Sequence, residues 1–457
     1  MLFPRALPRL GDVSIDLPVL AFAMGVSVLT GVLFGVVPAL RVSSVAPAVA
    51  LRDGTRTVTT GRGHHRLQTW LVICETALGL VLLVGAGLLI RSFVSVLRVD
   101  PGFDAHQVLT ARFTLNDASY PHDRKIQFVD ELLPRLNALP GVKQASAGWP
   151  LPMSSSNATV SFTVEGHPVA KADHPSESIG VVLPGYFETM RIPLISGRTF
   201  SRMDQAKSTP VVIIDQAFAR KYFLGVNPIG RHMTADEGDD VVNRSVREIV
   251  GVVGDIKQFG LTADAAPHYY LPWTQAVITN PYLCIRTTGD PAMLERAVKA
   301  TVAGMDANIP TYRVHPLEYY VSQAVAPARF QTLLLTAFAG IALLLAAVGL
   351  YGVLSYIVQQ RALEIALRLA VGAQRGDVLR MILRRGMVLA AIGVAAGLAI
   401  SFVVTRFIAT LLYGVKPLDA LTFCGMSLML LAVALVASIA PAYRAARTDP
   451  MTTLRTQ

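Results

Sequence analysis

Residues 330–360 read FQTLLLTAFAGIALLLAAVGLYGVLSYIVQQ and run directly into RALEIALRLAVGAQRGDVLRMILRRG, residues 361–386. The first part holds 31 residues without a charge. About 20 apolar residues suffice to cross the hydrocarbon of a bilayer, so this segment is long enough to span. As a helix it would be about 46 Å long, which exceeds the bilayer and implies tilt or a projecting stalk. The second part carries Arg361, Arg368, Arg375, Arg380, Arg384 and Arg385 against only Glu364 and Asp377. A short loop this basic is expected on the cytoplasmic face. It also has helical spacing. Leu363, Ala366, Leu367 and Ala370 share one face, and Glu364 and Arg368 stand at i, i+4. Two readings follow from that pattern: a surface helix touching anionic headgroups, or a docking site for a cytoplasmic partner.

The rest of the chain is oriented from this pair. Only 16% of the 457 residues are charged against the usual quarter, while 52% are hydrophobic, which indicates an integral membrane protein. The formal charge of +10 is unevenly spread. Residues 99–330 hold 21 Lys and Arg against 23 Asp and Glu, and the remainder holds 20 against 8. The basicity therefore belongs to the flanks of the spans, and no basic soluble domain exists to bind nucleic acid. Three cysteines suggest no disulfide framework, and no Cys/His cluster has metal-ligand spacing. His64 and His65 flank a basic loop, where headgroup contact is the simpler reading.

In chain order, residues 1–16 are too polar for a signal peptide. A first span is expected over residues 17–40, then a basic, Gly/Thr-rich cytoplasmic loop. A second span covers about residues 67–90, with Trp70 as an interface anchor and Glu75 as its single charge. An intramembrane carboxylate is a functional candidate. Two turns from the span end, snorkelling or a local hydrogen bond is the plainer reading. Residues 99–328 form an extracytoplasmic α+β domain, with strands expected at Val108–Leu115, Pro210–Asp215 and Arg247–Asp255 and helices at Arg124–Leu139 and Gln216–Phe223. After the third span comes a fourth at residues 386–405. There Gly393 and Gly397 have the small-xxx-small spacing of close helix packing, within the chain or across a homodimer. A fifth span, residues 420–443, ends in a basic tail. The expected fold is thus about five helical spans, with a large extracytoplasmic α+β domain inserted between the second and third.

Residues 38–52, PALRVSSVAPAVALR, and 441–455, PAYRAARTDPMTTLR, match without a gap at both prolines, both arginines and the leucine. Residues 1–66 are therefore expected to be the end of an incomplete first unit, and 67–457 a complete one: span and stalk (67–98), external domain (99–328) and a three-span region (329–457) with its basic helix near 361–376.

The chemistry-bearing motifs are few. No G-x-x-x-x-G-K followed by Ser or Thr occurs, so these residues carry no phosphate-cradling loop, and neither G-x-S-x-G nor H-E-x-x-H is present. The acidic run MTADEGDD, residues 233–240, lacks calcium-loop spacing and reads as a solvated loop. An external enzyme and a secondary transporter are both disfavoured. The first lacks an acid/base constellation, and the second would need interrupted helices and buried ionisable groups.

AVGLYGVLSYIVQQRALEIALRLAVGAQRGDVL, residues 347–379, resembles the MacB/FtsX-like permeases of ABC transporters. GYFETMRIPLISGRTFSRMD (185–204), PVVIIDQAFARKYF (210–223), NPIGR (227–231) and REIVGVVGDI (247–256) resemble the periplasmic core domain of those proteins, in the sub-group of duplicated acidobacterial-type permeases. The resemblance implies a bacterial inner-membrane location, a homodimer or paired permease, and room for a periplasmic adaptor. It also implies no cofactor in this chain, with ATP bound by a separate cytoplasmic ATPase that docks on Glu364, Ile365, Arg368, Leu369, Gly372 and Ala373. Its implied role is efflux or mechanotransmission, in which ATPase closure moves the external domain. The alternative is a membrane-anchored regulator or scaffold that exports nothing.

Overall fold

The computed structural model describes residues 16–25, 27–28, 32, 61–154, 156–165, 174–235, 245–371 and 374–447, apart from the side chains of 61–68, 363, 369 and 370. Residues 17–25 are helical and exposed. The rest of the expected first span, most of the internal repeat, and Asp236, Glu237, Asp239 and Asp240 of the acidic run lie outside the described residues. Among those described, four helices are long and apolar enough to cross a membrane, against about five expected. The chain divides into two compact units: Met1–Ser92 with Phe330–Gln457, and Phe93–Arg329.

Helix α1 (Gly61–Leu97) comes first. The β domain then opens with β1 (Val108–Phe113), α2 (His122–Asn137) and β2 (Val142–Trp149). A long insertion follows: β3 (Thr159–Val164), β4 (Ser176–Val182), α3 (Tyr186–Met190), β5 (Leu194–Gly197), β6 (Val211–Asp215), α4 (Gln216–Tyr222), β7 (His232–Ala235), β8 (Ser245–Val253) and β9 (His268–Pro272). Strand β10 (Tyr282–Thr287), α5 (Glu295–Ala303) and β11 (Thr311–Pro316) complete it. The strand order β11-β1-β10-β2 is antiparallel throughout. The units β1-α2-β2 and β10-α5-β11 thus interleave as a split βαβ. Helix α2 lays Phe128, Val129, Leu132 and Leu136 on this sheet as an i, i+4 stripe, with most of its charged residues on the other face.

The insertion forms a ring. Strands β4-β3-β7-β8-β6-β9 follow one another, and β9 pairs back on β4 in parallel, Gly180 opposite Tyr270. Closure leaves these six strands without a free edge. The apolar run VVIID makes β6 buried along its whole length. Phe162 packs at a tilt against Phe218 and Tyr269 inside, with ring centroids 4.9 and 5.9 Å away. Strand β2 also pairs with β4, at Gly148–Val182 and Trp149–Val181, so one sheet carries both parts.

The helical unit holds α1 up to Ser92, α6 (Leu317–Gln360) from Phe330 on, α7 (Ala362–Ala370), α8 (Arg375–Phe407) and α9 (Ala420–Ala446). Over the apolar window, α1 is 56% buried and α6 only 17%, so α1 is the central helix. Asp419 caps α9 by accepting from the Thr422 backbone N–H at 2.9 Å, and it also pairs with Arg91 of α1. Helix α6 begins at Leu317, ahead of the uncharged run, and Leu317 and Tyr320 of its first turns are buried.

Candidate functional site

The basic turn between α6 and α8 is built as a short helix, α7, set between two spans. Arg361 is the first charge after the 31 uncharged residues of α6. Gln374 and Asp377 then form a capping box that starts α8, so the chain re-enters helix at a defined point. Glu364 accepts from Arg368 at 2.6 Å, the i, i+4 pair that the spacing indicates, and lies 3.8 Å from Arg361. Arg368 also reaches the Met381 sulfur of α8 at 3.1 Å.

Burial redistributes the expected docking face. Ile365 and Ala366 are buried, Ile365 among Leu354, Ile357, Val378 and Ile382 of the neighbouring spans. Leu367, placed with Ala366 on one apolar face by periodicity, is 48% exposed. Ile365 thus anchors α7 rather than presenting a side chain outward, and the apolar face is centred on Ile365 and Ala366. The physical reason is that α7 contacts α6 and α8 at once, which a single-helix projection does not encode. Glu364, Leu367 and Arg368 remain at the surface. Leu369 lies in α7 with its side chain outside the described residues, and Gly372 and Ala373 lie outside them altogether.

The glycines of α8 face α1. A Cβ on Gly393 would stand 2.7 Å from Thr76 Cβ, and one on Gly397 would stand 2.8 Å from the Ala77 carbonyl oxygen. Both positions therefore serve packing inside this chain. Glu75 was a lone intramembrane charge in the sequence. Its carboxylate sits against Gly349 of α6, where a Cβ would come within 2.3 Å of Oε2. Glycine at 349 is what gives the carboxylate room. Sequence reasoning also missed that Arg444 of α9 donates to the Tyr351 hydroxyl at 2.8 Å, and that Gly386 opens space for Ser438. Only helix packing brings these pairs together.

In the β domain a cleft of about 560 Å³ is lined by Asp100, Asp104, Arg191, Gln216 and Asp255 among others. Its charges are largely paired. Arg191 donates to Asp104 at 2.7 Å and Arg220 to Asp255 at 2.5 Å. Burial raises the Asp104 carboxyl, but the His106 backbone N–H, Arg286 and Arg191 outweigh that and hold it below the usual range. Among the described residues no group of three His, Cys, Asp or Glu side chains could hold a metal ion.

Residues 75–301 match the MacB-like periplasmic core domain family, and residues 336–450 match the FtsX-like permease C-terminal family. The chain belongs to the MacB/FtsX-like class of ABC-transporter permeases. It is 27% identical over 279 residues to the pyoverdine export ATP-binding/permease protein PvdT of Pseudomonas aeruginosa, covering 59% of this chain and 41% of that protein. It is 26% identical over 288 residues to the macrolide export ATP-binding/permease protein MacB of Azoarcus sp., covering 58% and 40%. The chain thus spans about two-fifths of the length of these two relatives. The uncharacterized ABC transporter permease YknZ of Bacillus subtilis is 24% identical over 278 residues, covering 59% of this chain and 68% of that protein. Among solved structures, the periplasmic region of MacB from Actinobacillus actinomycetemcomitans aligns over 50% of this chain and 97% of its own, at 14% identity and a TM-score of 0.34.

Proposed function

We propose that this chain is the permease subunit of an ABC-type efflux or mechanotransmission complex in a bacterial inner membrane. In this reading a separate ATPase docks on α7 from the cytoplasm and drives motion of the external domain. The observation that carries it is the seating of α7. Ile365 and Ala366 are sunk into the helical core while Glu364, Leu367 and Arg368 stay exposed, so a push on the outer face is passed to α6 and α8. The charge balance of the turn and the near-neutral 99–330 segment support the assignment of sides. Two relatives are described as ATP-binding/permease proteins, and these 457 residues contain no phosphate-loop signature, so the proposal places ATP binding outside them. ATP would remain with that partner, with no cofactor held here.

The test is copurification from the native membrane in mild detergent, wild type beside Glu364→Lys. The variant reverses a charge on the exposed face and breaks the pair with Arg368. An ABC ATPase recovered with wild type and lost with the variant, at equal membrane insertion, is the expected result. Equal recovery with both would remove α7 as the docking element. No ATPase with either would favour a regulator or scaffold.

A further inference from the structure

Arg361 joins α6 to α7 and Arg385 lies in α8, and each borders a long uncharged run. Arg361 ends the uncharged run of α6, and Arg385 immediately precedes the uncharged run 386–405 of α8. Each therefore borders an uncharged run at the end nearest α7, where the charge rules place the headgroups. The structure brings both onto one small crevice of about 30 Å³, floored by Leu354, Ile357, Ile365 and Ile382. Arg385 lies within electrostatic reach of Arg361 and Glu364. Glu364 is shared, 2.6 Å from Arg368 and 3.8 Å from Arg361, and among the described residues no carboxylate is within ion-pair distance of Arg385. Two like charges are thus held together above an apolar floor with too little acid to balance them.

We infer that Arg361 and Arg385 form a site for the headgroup of an anionic phospholipid. The phosphate would lie between the two guanidinium groups and an acyl chain along the groove between α6 and α8. Guanidinium forks match phosphate oxygens, and the crevice sits where a headgroup ends and its chains begin. A soluble acidic protein would satisfy the charge but has no use for an apolar floor at hydrocarbon depth. The site stands apart from the ATPase reading, because it requires no partner chain.

The test uses the full chain in mild detergent, titrated with phosphatidylglycerol or with phosphatidylcholine of the same acyl chains. Bound lipid is counted by native mass spectrometry. Wild type should retain phosphatidylglycerol preferentially. Arg361→Gln/Arg385→Gln should weaken that retention about thirtyfold, from two lost headgroup contacts. Arg375→Gln/Arg380→Gln, on exposed positions in the first turns of α8, should leave it unchanged. Arg361→Lys/Arg385→Lys keeps the charges and guards against misfolding, and it should retain lipid at an intermediate level. Equal binding of both lipids by wild type, or equal loss from the two Gln pairs, would overturn the site. Displacement of the lipid by millimolar inorganic phosphate alone would overturn the lipid assignment in favour of a soluble phosphate ligand. Unchanged lipid retention with loss of a copurifying protein would overturn it in favour of a protein partner.

Discussion

Asp215 shows how one residue can load a well-packed fold. It ends the buried strand β6 and caps α4, its Oδ1 accepting from the Phe218 N–H at 2.7 Å. Oδ2 has no partner among the described residues, and neither do His268 Nε2 or the Tyr270 hydroxyl on the paired strand β9. Burial pushes the Asp215 carboxyl up to about 8 and the His268 imidazole down to about 4. The two effects have opposite signs. A carboxyl raised in the folded state favours folding at low pH, and that contribution is lost as pH rises towards 8. An imidazole depressed in the folded state favours folding above 6.5, its unfolded value, and that contribution is lost as pH falls towards 4. Between about 4 and 6.5 folded and unfolded states bind the same number of protons at this pair, so their joint effect is flat. From pH 6.5 to 8 only Asp215 acts, and it should cost the β domain about 2 kcal/mol. Asp215→Asn should remove that decline. Melting of the full chain in detergent, followed by tryptophan fluorescence at several pH values, checks this. An unchanged slope in the variant would place the titration elsewhere. None of it was legible in PVVIID, which reads as a buried strand whose terminal acid could as well have faced solvent.

At the scale of elements, α6 is the helix least satisfied within one chain. Leu334, Phe338, Ile341, Leu345 and Val348 are all at least 40% exposed and recur at alternating spacings of four and three. That is the spacing of a coiled-pair seam, and it continues to Gly352, where a Cβ would meet nothing within 4 Å. We expect a second copy to cover it. In a background with Cys74, Cys284 and Cys424 replaced by Ala, Ile341→Cys and Leu345→Cys should each cross-link between copies on mild oxidation. Ala339→Cys, on the buried face, should not. Failure at both seam positions in an inserted protein would leave the stripe to lipid. Helix α8 behaves differently. Gly393 and Gly397 could have served either kind of contact by spacing, and the fold places them on α1 at Thr76 and Ala77. The i, i+4 pair of Glu364 and Arg368 was readable in advance because it is local. The burial of Ile365 was not, since it depends on residues of α6 and α8 far along the chain.

For the whole molecule, the partition of charge makes a topological prediction. Lys207→Cys in the β domain should react with an impermeant maleimide added outside spheroplasts, and Arg375→Cys only after permeabilisation. Reaction of both from outside would reverse the assignment of sides. The sequence by itself determined the class of fold, because long uncharged runs and basic flanks are set by the cost of burying charge in hydrocarbon, a property of each segment alone. It also carried the motifs that resemble MacB/FtsX-like permeases, and strands β1, β6 and β8 with helices α2 and α4 of the β domain. Only the tertiary structure decided how those strands join: a split βαβ with a closed ring inserted between its second and third strands, which depends on pairings such as Gly180 with Tyr270. It also decided that Glu75 rests against Gly349, that Ile365 points inward, and that Arg361 and Arg385 share one crevice. Each of these contacts joins residues remote in sequence, and their proximity is set by packing of whole elements that no local pattern records.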